Sequence, residues 1–208
     1  DHVVGPARSG GSMKAILLGC GLVALGVVLF LGLAVVASYN RLVNLEEAVK
    51  SAWGQVENVY QRRADLIPNL VETVKGARDF ERETLTAVVE ARAKVGQVNF
   101  GKVPDAQQMQ RFQSAQDGLS SALSRLLVVV ERYPELKATQ NFRDLQVQLE
   151  GTENRIAVER RRFNLAAQAF NAARRRFPTV FIASLFGFGE KPYFQAAPGS
   201  EKPPQVKF

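Results

Sequence analysis

One cysteine and one histidine are all that 208 residues contain. Cys20 lies inside an apolar run with no second thiol to pair with, so no disulfide framework can be read and the redox compartment stays open. His2 is the sole imidazole. Zinc, haem and non-haem iron sites built from His and Cys are left almost without ligands, and nucleophile–histidine triads almost without a base. Neither an E-x-x-H motif nor a phosphate-cradling glycine loop is present. No run of alternating apolar and polar residues competes as a strand. These absences predict a chain that is no enzyme and takes no metal and no cofactor.

What is present is apolar and basic. Hydrophobic residues make up 46% of the chain, and 27 Lys and Arg against 20 Asp and Glu give a formal charge of +7. Such a balance suits acidic partners, among them anionic lipid headgroups. From Ala15 to Ala37 the sequence AILLGCGLVALGVVLFLGLAVVA carries no charge, and its 23 residues are long enough to cross a hydrocarbon core of about 30 Å. Lys14 flanks one end; Tyr39, Asn40 and Arg41 flank the other, as interface residues do. A cleaved signal peptide has an apolar core of about 7–15 residues, shorter than this run. Leu17-Leu18-Gly19-Cys20 has the look of a lipoprotein box, but most of the apolar run follows the cysteine. Residues 13–38 are therefore expected to be a retained transmembrane anchor. Arg8 and Lys14 on one side balance Arg41 and Lys50 on the other, favouring neither orientation. Residues 1–12, DHVVGPARSGGS, read as a disordered tail or an expression scar ahead of a natural start at Met13.

Beyond the anchor the period is helical. Leu42, Leu45, Val49, Ala52, Val56 and Val59 alternate spacings of three and four, with Trp53 at the stripe's edge. Phe142, Leu149, Ile156, Phe163, Phe170 and Phe177 recur every seven residues, predicting a long helix in a bundle. A third face runs through Phe112, Ala115, Leu119, Ala122, Leu123, Leu126 and Val130. Gly96 to Asp105 is a loop by its glycines and proline, and Pro134 closes one helix and opens the next. Pro68 or Gly76 marks the first turn. Three segments of near-equal length favour Pro68, whereas the unbroken three-four phase across it favours a continuous helix. The expected architecture is all-α: the anchor, then an antiparallel up-down four-helix bundle over 39–178, then an aromatic-rich C-terminal segment and tail over 179–208.

The segments YNRLVNLEEAVKSAW, QRRADLIPNLVETVKG, YPELKATQNFRDLQVQLEGTENRIAVERRRFN and FPTVFIASLFGFGEKPYF resemble the LemA family, from the anchor nearly to Phe208. The resemblance implies a single-pass bacterial membrane protein with a four-helix soluble part and no established enzyme activity. Phe163 and Phe170 stand where that family commonly has tyrosine, and Glu159 interrupts a small-residue position.

Four constellations are candidates for function. Arg62, Arg63, Asp65, Asn69 and Glu72 put carboxylates and an amide at helical spacing, as a cation or polar-ligand site needs, or as a buried or half-buried ion-pair network fixing register needs. Tyr39-Asn40, Phe163-Asn164 and Phe170-Asn171 pair aromatics with amides, either around a ligand or across the bundle. Arg160–Arg162 and Arg174–Arg176 repeat two heptads apart, so both triplets point the same way. They suit lipid headgroups or water better than nucleic acid, for which no docking motif is evident. Last, Arg174, Arg175, Arg176, Phe181, Phe186, Phe188, Tyr193 and Phe194 are expected to contact membrane or a partner, near the anchor if four helices bring the chain back. The partners expected are the bilayer, further copies of the chain or another membrane protein, at a bacterial inner or plasma membrane.

Overall fold

The computed structural model describes residues 10–77, 80–98 and 101–195, with side chains from Leu17 onward. Of the proposed N-terminal tail at 1–12, residues 10–12 are helical, a correction to that expectation, and the rest lies outside the described residues, as does the C-terminal tail at 196–208. Every regular element among those described is helical: α1 (Gly10–Lys75), α2 (Arg82–Gln97), α3 (Ala106–Val130), α4 (Pro134–Lys137), α5 (Gln140–Arg174) and α6 (Thr179–Leu185). Two compact units emerge. One takes the chain up to Asn44 with Ala173–Phe188, and the other takes Leu45–Ala172 with the chain from Gly189 on.

Pro68 does not break α1. This corrects the length argument that put the first turn there. A proline inside a helix removes one N–H donor and strands the carbonyl four residues earlier, at about 3 kcal/mol or more. Here that carbonyl belongs to Ala64, and Arg92 Nε of α2 donates to it at 3.0 Å. The orphaned acceptor is satisfied by a neighbouring helix, so the three-four phase wins and α1 runs on to Lys75. The turn falls at Gly76 instead. A separate second helix survives nonetheless, at 16 residues. Continuity through Pro68 and the presence of α2 are compatible, which the sequence argument treated as alternatives.

Two further boundaries move, at Gly96 and at Pro134, while Asp105 remains the edge of its loop. Gly96 and Gln97 are still helical. Asp105 opens α3 with a capping box, its carboxylate accepting from Gln108 N at 2.8 Å and its own N–H donating to Gln108 Oε1 at 3.1 Å. Pro134 starts only the single turn α4; α5 begins after Thr139, whose hydroxyl accepts from Phe142 N at 3.4 Å.

The larger unit is held by seams of period seven. Along α1, Val49, Trp53, Val56, Tyr60, Arg63, Ile67, Leu70 and Val74 are buried at alternating steps of four and three. Trp53 is thus a seam residue and not an edge one: its ring meets Phe112 and Phe163 at centroid distances of 5.3 and 5.6 Å. On α3 the seam is Met109, Phe112, Gln116, Leu119, Leu123, Leu126 and Val130. On α5, Phe142, Leu149, Ile156, Phe163 and Phe170 are all buried. Phe177, the predicted sixth member, is 81% exposed because α5 has already ended at Arg174. Ile67, Leu70 and Val74 of α1 share one apolar cluster with Leu85 and Val88 of α2, Leu119 and Leu126 of α3, and Phe142 and Leu149 of α5.

Candidate functional site

Arg63 is the one charged residue on the α1 seam, and only 1% of it is exposed. It donates to Ser120 Oγ at 2.8 Å, to the Gln116 side chain and main-chain carbonyl on α3, and to Glu153 Oε1 on α5 at 2.5 Å. Its guanidinium also lies 5.1 Å from the centre of the Tyr60 ring. The other residues proposed beside it do not join. Arg62 is exposed; Asp65 accepts from Gln61 at 2.8 Å, Glu72 pairs with Lys75 at 2.7 Å, and Asn69 is exposed. Asp65 and Asn69 sit two and six positions from Arg63, off the seam, so helical geometry splits the set between core and water. The polar-ligand site at Arg63, Asp65, Asn69 and Glu72 is therefore dispersed. Its true partners, Gln116, Ser120 and Glu153, carried no recognisable sequence signal.

Glu57, half-buried on α1, is pushed above its ordinary carboxyl value of 4.5, chiefly by burial; the Trp53 indole and the Gly101 backbone pull the other way. The indole N–H lies close enough to act electrostatically but makes no hydrogen bond. A folded value raised above the unfolded one stabilises the protein below pH 4.5, and that contribution is lost as pH rises through the folded value. Glu57→Gln is accordingly expected to raise the urea midpoint at pH 7, with the gain vanishing below pH 4.5. A gain that is independent of pH would assign the effect to packing.

After α6 the chain runs extended along α5, laced down by side-chain amides. Asn171 Oδ1 accepts from Lys191 N at 2.9 Å while its Nδ2 donates to Lys191 O at 2.8 Å. Asn164, one heptad earlier, does the same with Phe194, at 2.8 and 3.0 Å. Gln113 of α3 repeats the pattern with Gln195, at 3.2 and 2.9 Å. Each amide presents a donor and an acceptor as a β-strand neighbour would, leaving those strap residues satisfied without a sheet. Phe163-Asn164 and Phe170-Asn171 thus serve this strap, while their rings fill the seam; Tyr39-Asn40 does not join them, both residues being exposed. Lys191 also reaches Glu46 at 2.5 Å and lies 5.1 Å from the centre of the Phe170 ring.

Phe194 had been grouped with membrane or partner contacts. The structure corrects this: the ring is 6% exposed, stacked on Trp53 at 6.2 Å, near Phe163 at 5.5 Å and covered by the Arg160 guanidinium at 4.8 Å. Tyr193 is partly exposed, and its hydroxyl accepts from Asn171 at 3.0 Å.

The remaining candidates fall in the smaller unit. Arg174 Nε donates to Phe188 O at 2.8 Å, while Arg175 and Arg176 are exposed. Phe186 and Phe188 meet Tyr39, two residues past the apolar run, at 4.9 and 5.7 Å with edge-on geometry. Phe181 and Phe177 pair at 5.9 Å on the surface.

The chain is similar to the magnetosome protein MamQ 2 of Paramagnetospirillum magneticum, 26% identical over 197 residues that cover 86% of this chain and 72% of the relative. It is as similar to magnetosome protein MamQ of Magnetospirillum gryphiswaldense, 26% identical over 189 residues, 81% of this chain and 70% of the relative. Protein LemA of Metamycoplasma hominis is 23% identical over 158 residues, covering 76% and 69%. The LemA family model matches residues 52–208, which takes in the Arg63 layer, the asparagine-laced strap and α6, and the chain belongs to the LemA family.

Proposed function

We propose that this chain is a single-pass protein of the bacterial inner membrane, carrying an antiparallel four-helix bundle that acts as a scaffold or self-assembling element, with no catalytic site of its own. The observation that carries the reading is the apolar run. Leu17 to Val36 lie on α1 with none of their most apolar window buried by protein, and no charge interrupts them. A surface of that length and composition is covered by lipid. In the bundle, α1 leaves the bilayer, α2 returns, α3 leaves and α5 returns. The ring contacts between Tyr39 and Phe186 support such a return, because they bring chain after α5 to the end of the apolar run. The relatives named as magnetosome proteins support a membrane-associated setting for the chain. The rival reading, a tethered module for a small polar or anionic ligand using the Asp65–Glu72 and arginine faces, keeps its exposed arginines but has Asp65, Asn69 and Glu72 apart from Arg63 and turned to water.

Crosslinking in native membranes, followed by extraction in mild detergent, tests the proposal. The chain is expected to resist carbonate extraction and to migrate in crosslinked species larger than one copy. Protein released by carbonate removes the anchor; a strictly monomeric, uncrosslinked chain removes the scaffold.

A further inference from the structure

We infer that α6 and its flanks are a second membrane contact, lying in the plane of an anionic lipid surface in the leaflet where the apolar run ends. The inference rests on the reading of that run as a membrane anchor. Within α6, Thr179, Ile182 and Ala183 turn inward and are buried. The opposite side is apolar and open: Phe181 is 65% exposed and Leu185 77%, continued by Phe177 before the helix and Phe186 after it. Four large apolar side chains stand exposed within ten residues, and Phe177 and Phe181 touch, a density that singly scattered surface residues do not reach. The segment is too short to cross a bilayer, so an interfacial position is the one lipid geometry open to it.

Two observations identify the occupant. The first is continuity. Phe186 packs edge-on against Tyr39, and Tyr39 is the second residue beyond Ala37, where the apolar run stops. An element held against that ring sits at the depth of headgroups and upper acyl chains, where tyrosine and phenylalanine partition. The second is charge. Between Glu159 and Glu190 the sequence has no acidic residue, while Arg175 and Arg176 stand exposed immediately before Phe177. Arginine offers forked donors to lipid phosphate, and the rings beside it enter the acyl boundary. Arg174 is spent on the Phe188 carbonyl and holds the segment folded.

The test uses the full chain in vesicles of phosphatidylcholine with phosphatidylglycerol. Cys20→Ser leaves one introduced thiol for an environment-sensitive dye, placed by Phe181→Cys or by Leu29→Cys in the apolar run. Spin-labelled lipids with shallow or deep nitroxides then quench it. The dye at Phe181→Cys is expected to be quenched by shallow nitroxides, and that at Leu29→Cys by deep ones. Adding Arg175→Gln and Arg176→Gln, or omitting phosphatidylglycerol, should lower the docked-to-undocked ratio by about fivefold per arginine. Quenching at Leu29→Cys with none at Phe181→Cys overturns the inference and leaves the anchor standing. No quenching at either site overturns the anchor. A blue-shifted, unquenched dye at Phe181→Cys that reddens on dilution of protein in lipid assigns the patch to a second copy of the chain instead. Circular dichroism of each variant checks that helix content is unchanged.

Discussion

Arg63→Ala is expected to destabilise the larger unit by about 3–5 kcal/mol, among the largest effects of any single substitution on α1. Two costs combine. The alanine leaves a void where a side chain only 1% exposed had been, and it strips the Gln116 side chain and Ser120 hydroxyl of their shared donor inside the core. Glu153 contributes less, since its side chain is 47% exposed and turns to water when the partner goes. Glu153→Gln keeps an acceptor for the guanidinium but leaves a buried cation without its carboxylate, so it should cost about 1.5–3 kcal/mol, more than an exposed pair would. The informative comparison is Arg63→Met with Gln116→Leu. A buried ionic group replaced by apolar groups of similar volume is often neutral or stabilising, so this pair should recover most of the loss. If it does, the arginine stands in the core to fix alignment more than to add stability. Its partners lie on α3 and α5 at once, and one axial alignment of the three helices satisfies all of them. Urea midpoints of the three variants measure the energies, and native-state hydrogen exchange reports whether the apolar pair loses uniqueness. An Arg63→Ala midpoint within experimental scatter of the parent would mean that the guanidinium is solvated in solution.

The helical period was legible wherever apolar residues alone occupied the seam. Phe142 to Phe170 are buried as their spacing required, because each is large and each falls on a continuous helix. Phe177 obeys the same spacing and is exposed, since a period has meaning only while the helix lasts, and α5 stops at Arg174, short of Pro178. A buried or half-buried ion-pair network fixing register was legible around Arg63, but its partners were not: Gln116, Ser120 and Glu153 lie 53, 57 and 90 positions away. Pro68 misled for a related reason. Its local chemistry argues for a break, and what rescues the helix is Arg92, 28 positions from Ala64. Asn164 and Asn171 stood out by their heptad spacing, yet their ligand is the chain's own backbone, an extended segment with no periodicity to announce it. The exposed rings of α6 were readable as too apolar for water; their position against Tyr39 needed the fold.

Phe194→Ala is expected to cost about 3–5 kcal/mol, the range for emptying an aromatic site in a packed core. The ring closes the cluster formed by Trp53, Phe112 and Phe163. Its backbone is held by both polar atoms of Asn164, so ring and amide act on the same residue. Asn164→Ala alone should cost less, and the double variant should cost less than the sum, because a strap already released has nothing further to lose. Trp53 is the protein's only tryptophan and stacks on Phe194, so its emission follows the strap directly. In Phe194→Ala the native emission should shift to the red as water reaches the indole, and the urea midpoint should fall with it. Two failures are distinguishable. An altered emission with an unchanged midpoint means that the strap opens as a local unit, below the free energy of global unfolding. Unchanged emission and midpoint together would mean that Phe194 does not occupy the core at all, returning it to the exposed surface with Phe181 and Phe186.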